Sequence, residues 1–218
     1  LRILAHMSED ENLLEAFELG QDIHSRTAAL LFDKSVADVT ADERRKAKTI
    51  NFGLLYGMGP QKLSRELGIT LKQAREFIQI YFSKLKKVKE FYADIQEEAR
   101  QKGYVTTIAG RRRLLPGINS RNANEAAQAA RMAINTVVQG SAADIIKKAM
   151  ILADKDDLLQ KFKAHLILQV HDELILEVDK DYAQEAGKRL SAIMSGVYTL
   201  KVPLVVDWGV GENWGKAH

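Results

Sequence analysis

The periodicity of the apolar residues changes once along this 218-residue chain, and that change restricts the fold more than any other feature. Up to about Leu152 the apolar positions recur mostly at helical spacing. Two apolar runs, Leu166–Val170 and Leu174–Val178, then follow with only three residues between them, which predicts two strands joined by a tight connection. A chain that is mostly helical and ends in a small antiparallel sheet with helices belongs to the α+β class.

Local sequence signals place the individual helices and strands. Thr40 stands three residues before Glu43, a capping-box pattern that predicts a helix running to about Tyr56. Helices are also expected over Asp22–Phe32, from Thr70 to Lys102 with a break within Lys84–Lys89, over Asn122–Leu152 and over Asp181–Tyr198; a hairpin is expected over Tyr104–Ile108 and Arg112–Leu115, and a last strand over Pro203–Val206. The sequence contains no repeat and no flexible linker, so a domain boundary must be spatial, with the helical middle inserted into a sheet domain that both ends form.

Composition excludes several classes of protein and site. The chain has no cysteine, which excludes disulfides, thiolate zinc sites and cysteine nucleophiles and fits a cytoplasmic protein. No run approaches the roughly 18 consecutive apolar residues that a membrane helix needs, so no membrane partner is expected.

The net charge of +3 is unevenly distributed. Residues 1–60 carry −3, residues 61–113 carry +7 and residues 114–218 carry −1. The middle segment owes its excess to Lys84–Lys89 and to the run Arg111-Arg112-Arg113. A basic stretch between slightly acidic ones is typical of a protein that binds a polyanion, although Lys84–Lys89 alone is equally consistent with a solvated helix face.

Two cations and two aromatic residues recur every four positions along one predicted helix: Arg44, Lys48, Phe52 and Tyr56. Four residues advance an α-helix by about 400°, so these positions share one face about 18 Å long. Arg and Lys bind phosphate oxygens and an aromatic ring offers a stacking surface, which is the order of parts in a nucleoside triphosphate. The spacing therefore predicts a nucleotide-binding face.

A simpler interpretation stays open for this helix and for one histidine. An amphipathic helix could bury both aromatic rings in the core and leave the cations in solvent. Gly53 and Gly57 each cost the helix about 1 kcal/mol relative to alanine, which favours a close approach by another backbone or a ligand, or flexibility near the helix end. His24 stands alone on a short predicted helix and is more typical of an ordinary surface or core histidine.

Adjacent carboxylates occupy the connection between the two apolar runs. Asp172 and Glu173 follow His171 there, and Mg²⁺ is commonly held by one or two carboxylates together with substrate phosphate oxygens. An ordinary turn Asp is usually followed by Gly or Asn, whereas here Glu and an apolar run follow. The segment predicts a metal site, with an ordinary turn as the alternative.

Together, these segments resemble the signatures of family A DNA polymerases, the bacterial DNA polymerase I type. The stretch Arg44–Gly57 is similar to the fingers-helix signature of that family, and Gln169-Val170-His171-Asp172-Glu173 resembles its palm signature. The similarity covers the whole chain, through Leu1-Arg2-Ile3-Leu4-Ala5-His6, Asp22-Ile23-His24, Gln139-Gly140-Ser141-Ala142-Ala143-Asp144 and Gly211-Glu212-Asn213-Trp214. Single-subunit RNA polymerases have a related helix, but Phe52-Gly53 and Glu173 favour the DNA polymerase.

The resemblance implies a role for each matching residue. The residues implied in dNTP binding are His24, Arg44, Lys48, Phe52 and Tyr56. Those implied in catalysis are Asp172, Glu173 and Lys48, with Asp172 as the metal ligand. Those implied in DNA binding are Arg131, Asn135, Gln139 and His171. Among them, Phe52 would lie near the sugar and base, Tyr56 at the template side and His171 near the primer end. The basic middle segment would belong to the fingers and their approach to the DNA.

The fold and reaction implied by the resemblance are equally specific. A small antiparallel palm sheet with packed helices is expected over residues 1–27 and 122–218, with a mostly helical fingers subdomain inserted over residues 28–121. The primer 3′-hydroxyl would attack the α-phosphate of a dNTP, pyrophosphate would leave, and two Mg²⁺ ions would assist both events. The implied partners are primer–template DNA and dNTP, for a monomer associated with the bacterial nucleoid in the cytoplasm and engaged in DNA replication and repair.

The family pattern also contains residues that this sequence lacks. A second metal-bridging Asp and a Glu that acts against ribonucleotides precede the family position that matches Leu1, and the thumb is also absent. With half of the metal site, the chain is expected not to turn over by itself. The alternative function is a non-catalytic nucleotide- or DNA-binding fragment of a polymerase.

Overall fold

Helices account for most of the chain in the computed structural model, which describes residues 1–217. The helices are α1 Arg2–Ser8, α2 Glu11–Glu18, α3 Ile23–Phe32, α4 Ala41–Leu55, α5 Pro60–Leu67, α6 Leu71–Lys84, α7 Lys86–Lys102, α8 Ala123–Asp154, α9 Asp157–Lys161, α10 Ala183–Gly196 and α11 Trp214–Ala217, with 3₁₀ turns at Val36–Asp38 and Lys180–Tyr182. The strands are β1 Tyr104–Thr106, β2 Arg112–Leu114, β3 His165–Val170 and β4 Glu173–Glu177, and they form two antiparallel hairpins, β1–β2 and β3–β4. The α+β class predicted from the sequence is confirmed.

The chain forms two compact units, Leu1–Gly140 and the residues from Ser141 onward, and the division between them falls within α8.

Helix α4 begins where the sequence predicted. The Thr40 hydroxyl accepts a hydrogen bond from the Glu43 backbone N–H at 3.3 Å, and the Glu43 carboxylate accepts one from the Thr40 backbone N–H at 2.9 Å. Lys34 lies 2.6 Å from the same carboxylate and, together with Thr40, lowers the pKa of Glu43 to about 2. These contacts satisfy free N–H groups of the first turn and fix the start of the helix.

The break predicted within Lys84–Lys89 is confirmed at Leu85, which separates α6 from α7. Leu85 is buried and supplies no side-chain cap to α7. Asp10 acts as the cap instead: its carboxylate accepts from the backbone N–H of Lys87 at 3.2 Å and from that of Asn12, at the start of α2, also at 3.2 Å. Burial of Asp10 raises its pKa, and the hydrogen bonds to the two helix starts oppose that shift. One carboxylate therefore joins two helix N-termini.

The core of the first unit forms around the pairing of α3 with α4. Helix α4 turns one face inward, and the buried residues on that face are Ala47, Ile50, Asn51, Gly53, Leu54 and Leu55. Helix α3 contributes Thr27, Ala28, Ala29 and Leu31. Because this packing fixes the rotation of α4 about its axis, it also determines which α4 side chains face solvent.

The second unit contains the hairpin β3–β4, in which Val170 is opposite Glu173 and the register shifts between Leu166 and Leu168. Glu173 is the first residue of β4, so the predicted three-residue connection contains only two residues, His171 and Asp172. Helix α10 begins at Ala183, after a 3₁₀ turn, rather than at Asp181 as predicted.

The strand predicted over Pro203–Val206 is wrong. These residues form no ladder, and the Val206 carbonyl accepts a hydrogen bond from the Ser191 hydroxyl of α10 at 3.1 Å. A β-branched run becomes a strand only when a neighbouring strand takes its backbone hydrogen bonds, and here a helix side chain takes one of them.

None of the helices over residues 1–217 combines the length and the apolar character that a membrane crossing requires.

Candidate nucleotide and nucleic-acid site

The four residues spaced along α4 all face solvent. Arg44 and Lys48 are exposed, and Phe52 and Tyr56 retain 37% and 46% of their surface. Tyr56 lies just past the last helical residue, and its backbone N–H still bonds to the Phe52 carbonyl at 3.1 Å. The alternative in which both rings pack in the core therefore fails, because apolar residues on the opposite face fill that position.

Arg44, at the start of this exposed line, is held by Asp22. Its guanidinium donates from Nε to Asp22 Oδ1 at 3.0 Å and from Nη2 to Oδ2 at 2.7 Å. Asp22 also caps α3, since Oδ1 accepts from the Ser25 backbone N–H at 2.7 Å. The Arg44 hydrogen bonds are the largest cause that lowers the pKa of Asp22 well below its ordinary value. Lys48, one turn further on, forms no ion pair with any residue of the described chain, so its ammonium group is available to an anion.

His24 lies beside this line and takes part in its packing. Its ring centroid is 5.5 Å from that of Phe52, with the two planes tilted by 51°. The buried Asn51 places its Nδ2 3.1 Å from His24 Nδ1 and 3.0 Å from Thr27 Oγ1. Burial is the main cause that lowers the pKa of His24, and the positive charges of Arg44 and Lys48 add to it. The structure thus brings His24 to the predicted nucleotide face, where burial favours the neutral ring.

The far end of the exposed line meets the face of α8 that carries the predicted DNA-binding residues. Gln139 Nε2 donates to the Tyr56 hydroxyl at 3.3 Å. A Cβ placed on Gly57 would lie 2.7 Å from Cγ of Arg131, so the Arg131 side chain packs directly on this glycine. Asn135 lies between those two positions on α8, and its buried Oδ1 accepts no hydrogen bond from residues 1–217. Side chains therefore make the close approach at Gly57, rather than the backbone or ligand that the sequence predicted.

The arginine run of the sequence lies at and after the tip of the hairpin β1–β2. Arg111 donates from Nη2 to the Gly140 carbonyl at 3.1 Å, and Arg113 donates from Nη1 to Thr136 Oγ1 at 3.2 Å. The Arg112 guanidinium lies 5.0 Å from the centroid of the Tyr104 ring. All three residues are exposed, so these contacts orient cations that still face solvent.

The second unit carries the carboxylates at the turn of β3–β4. His171 has a left-handed backbone, with φ of 52°, a conformation that is uncommon outside glycine although histidine tolerates it better than most residues. Asp172 is exposed, and Glu173 Oε1 accepts a hydrogen bond from Trp214 Nε1 at 3.1 Å. Two adjacent carboxylates therefore stand on a short, hydrogen-bonded turn.

The predicted residues fall into two groups, one in each unit. His24, Arg44, Lys48, Phe52, Tyr56, Arg131, Asn135 and Gln139 belong to the first unit, and His171, Asp172 and Glu173 belong to the second. Sequence reasoning missed Asp22 as the partner of Arg44, Asn51 as the partner of His24 and Trp214 as the partner of Glu173. Asn51 alone had a signal: it is the polar residue within the apolar stripe of α4.

The family model described as DNA polymerase family A matches residues 1–216. The chain belongs to this family. A family A assignment confirms the resemblance that rested on the α4 line and on the turn after β3.

Two curated relatives of this family A chain are bacterial DNA polymerases I. It is 50% identical over 217 residues to DNA polymerase I of Geobacillus stearothermophilus and 48% identical over 217 residues to the thermostable DNA polymerase I of Thermus filiformis. Both alignments cover the whole chain but only 25% and 26% of those proteins, so the chain spans about a quarter of their length. Among solved structures, it matches the POL domain of Pol1 from M. smegmatis in complex with DNA primer-template and dNTP, with a TM-score of 0.94 and 39% identity over 99% of this chain and 38% of that one.

Proposed function

We propose that this chain carries the nucleotide-selecting and DNA-contacting part of a DNA-directed DNA polymerase, which adds a dNTP to a primer 3′-hydroxyl on a DNA template. The observation that carries the proposal is the exposed line of α4, whose two cations and two aromatic rings face solvent over a buried apolar face. The solved relative that contains DNA primer-template and dNTP supports these ligands.

The cationic half of the line would hold the triphosphate. Lys48 offers an ammonium group that no carboxylate of the described chain neutralises, and Arg44 offers a planar fork once it leaves Asp22. His24 would add a hydrogen bond beside them, and Phe52 would pack near the sugar and base. Charge-assisted hydrogen bonds of this kind are about twice as strong as neutral ones, so they orient the reacting phosphate.

The aromatic end of the line would meet the template. Tyr56 is joined to Gln139, and Gly57 to Arg131, so a nucleotide on α4 and a duplex along α8 would meet at this point. We assign residues 28–121 to the fingers and residues 1–27 and 122–218 to the palm. The basic hairpin arginines would face the phosphate backbone of the DNA, where they would add affinity without reading sequence.

Asp172 and Glu173 would hold divalent metal in the second unit. Residues 1–217 contain no cluster of three or more His, Cys, Asp and Glu side chains suited to a metal, and we propose this adjacent pair as the donors. Two carboxylates fit Mg²⁺, which keeps several waters and takes further ligands from substrate phosphates. When bound, two Mg²⁺ ions would assist deprotonation of the primer hydroxyl and neutralise the leaving phosphates. Asp172 is exposed on its turn and would present its carboxylate without rearranging the strands.

The small donor set also supports a second candidate, a module that binds nucleotide and DNA without catalysis. Primer extension with MgCl₂ separates the two: templated extension supports the polymerase, and dNTP binding without extension supports the binding module. We also propose a cytoplasmic location at the bacterial nucleoid, where the DNA lies, and a monomeric state.

Binding of dATP by calorimetry tests the nucleotide face itself. Lys48→Ala should weaken binding about tenfold or more, since hydrogen bonds to charged groups contribute about 1.5–3 kcal/mol. Lys46→Ala is the matched control, because Lys46 lies on the same helix but pairs with Asp42 at 2.7 Å. Equal losses for both variants would place the nucleotide elsewhere.

A further inference from the structure

Asn51 is the polar exception on the buried face of α4. It is 0% exposed, and its neighbours on that face include Ile50 and Leu54. Burying an amide costs free energy unless its donors and acceptors are satisfied. An amide at this position therefore requires a reason other than packing.

Asn51 contacts two side chains of α3. Its Nδ2 donates to Thr27 Oγ1 at 3.0 Å, its Oδ1 lies 3.2 Å from the same Thr27 oxygen, and that oxygen also lies 2.8 Å from the Ile23 carbonyl. Asn51 Nδ2 also points to His24 Nδ1, at 3.1 Å. The amide therefore determines which nitrogen of His24 can hold a proton.

A neutral imidazole carries one proton, and a ring nitrogen that accepts a hydrogen bond cannot hold it. With Nδ1 accepting from Asn51, the proton resides on Nε2. Contact with Phe52, at 5.5 Å between centroids, sets the plane of the ring. Burial lowers the pKa of His24, which keeps the ring neutral and preserves this tautomer.

We infer that Asn51 is a positioning residue that holds His24 as its Nε2–H tautomer, so that the imidazole donates a hydrogen bond to a phosphate oxygen of the nucleotide bound by Arg44 and Lys48. The inference rests on the proposed function of that face. It assigns Asn51 no contact with the nucleotide.

The tautomer is measured first, in the ligand-free wild-type chain. Two-bond ¹H–¹⁵N spectra of the histidine-labelled protein distinguish Nδ1–H from Nε2–H, and His24→Gln identifies the signal. We expect Nε2–H at neutral pH. An Nδ1–H ring or an equal mixture overturns the inference without any variant at position 51.

Asn51→Leu then removes the donor without adding a charge. Nδ1 can then hold the proton, so the single Nε2–H tautomer should give way to a mixture of both, and dATP binding should weaken by up to about tenfold, as expected for the partial loss of a hydrogen bond to a charged group. Ile50→Val is the matched control, since it disturbs the same buried face without touching His24. It should leave the tautomer unchanged and dATP affinity within about twofold.

A double-mutant cycle separates positioning from a general structural role. In a His24→Gln background, Asn51→Leu should change dATP affinity less than about twofold, because its effect passes through His24. A loss that persists undiminished in that background overturns the inference. If wild-type protein binds no dATP, the proposed function fails, while the tautomer measurement still decides the role of Asn51.

Discussion

Gly57 directly follows Tyr56, the last residue of the exposed line, and its replacement by alanine would test how closely the end of α4 and helix α8 approach. Its φ of +69° lies in the left-handed region. A Cβ at this position would stand 2.7 Å from Cγ of Arg131 and 3.2 Å from its Cβ and Cδ. Ordinary carbon contacts are about 3.5–4.0 Å, so the arginine stem would have to move by nearly 1 Å.

Two costs combine in Gly57→Ala. A non-glycine residue in the left-handed region costs about 1–2 kcal/mol. Overpacking against the near end of the Arg131 side chain adds about 1–3 kcal/mol, because the Cβ of Arg131 cannot swing away as a flexible tip could. We therefore expect the free energy of unfolding to fall by about 2–5 kcal/mol.

Gly68→Ala is the matched control. Gly68 has a φ of +64°, and no atom lies within 4 Å of a Cβ placed there, so only the backbone cost applies. The reduced entropy of the unfolded chain is common to both variants and cancels. Urea unfolding should show Gly57→Ala less stable than Gly68→Ala by about 1–3 kcal/mol.

Arg131→Ala completes the comparison. It removes the Cγ and Cδ atoms that the new methyl group would strike, so Gly57→Ala should cost at least about 1 kcal/mol less in that background. A difference between Gly57→Ala and Gly68→Ala below about 0.5 kcal/mol, or no relief by Arg131→Ala, would refute the close approach of the two helices.

Four further outcomes follow from single contacts. Arg131→Ala should weaken primer–template binding and reduce its salt slope by about one. Thr40→Ala should lower the free energy of unfolding by about 1 kcal/mol through loss of the cap. Arg44 lowers the pKa of Asp22, so the stabilisation from this ion pair is complete above about pH 4 and is lost as the pH falls. Asp22→Asn should therefore make the free energy of unfolding less dependent on pH in acid. Tyr81→Phe should stabilise the chain by about 1 kcal/mol, since the buried hydroxyl has no partner among the described residues.

Controls for these variants use residues of the same type. Arg65→Ala removes an arginine from exposed α5 and should leave the DNA salt slope unchanged. Thr49→Ala, within α4, should shift stability by less than about 0.5 kcal/mol. Tyr104→Phe, on β1, should leave stability nearly unchanged, and an equal gain there would contradict the explanation for Tyr81. Superimposable acid-unfolding curves for wild type and Asp22→Asn would contradict the ion pair.

The sequence predicted elements whose signals are local. The capping box at Thr40, the break at Leu85 and the hairpin after Gly103 depend on neighbouring residues, and all three are present. The face of α4 was predictable because a four-residue spacing needs only helical geometry. The strand over Pro203–Val206 was not, because a strand depends on a partner that local sequence does not specify.

Residues that support the candidate site were harder to predict than residues on it. Asp22 and Arg44 are 22 positions apart, and many other acidic and basic residues of the chain could have formed such a pair. Asn51 and His24 are 27 apart, and only the packing of α3 on α4 brings them together. The contact of Tyr56 with Gln139 spans 83 positions. Such pairings depend on tertiary packing, which no periodicity reveals.

The ion pair between Arg44 and Asp22 has a consequence for rates. Before any ligand arrives, the carboxylate cancels most of the field of the guanidinium, so Lys48 supplies most of the long-range attraction of this face. A triphosphate bound as proposed would therefore be drawn in by roughly one positive charge rather than two, and its rate of arrival should depend less on ionic strength than if both charges were unpaired. The second charge would become available after encounter, when phosphate oxygens replace the carboxylate. Arg44 would then distinguish one anion from another through the rate of dissociation rather than the rate of association.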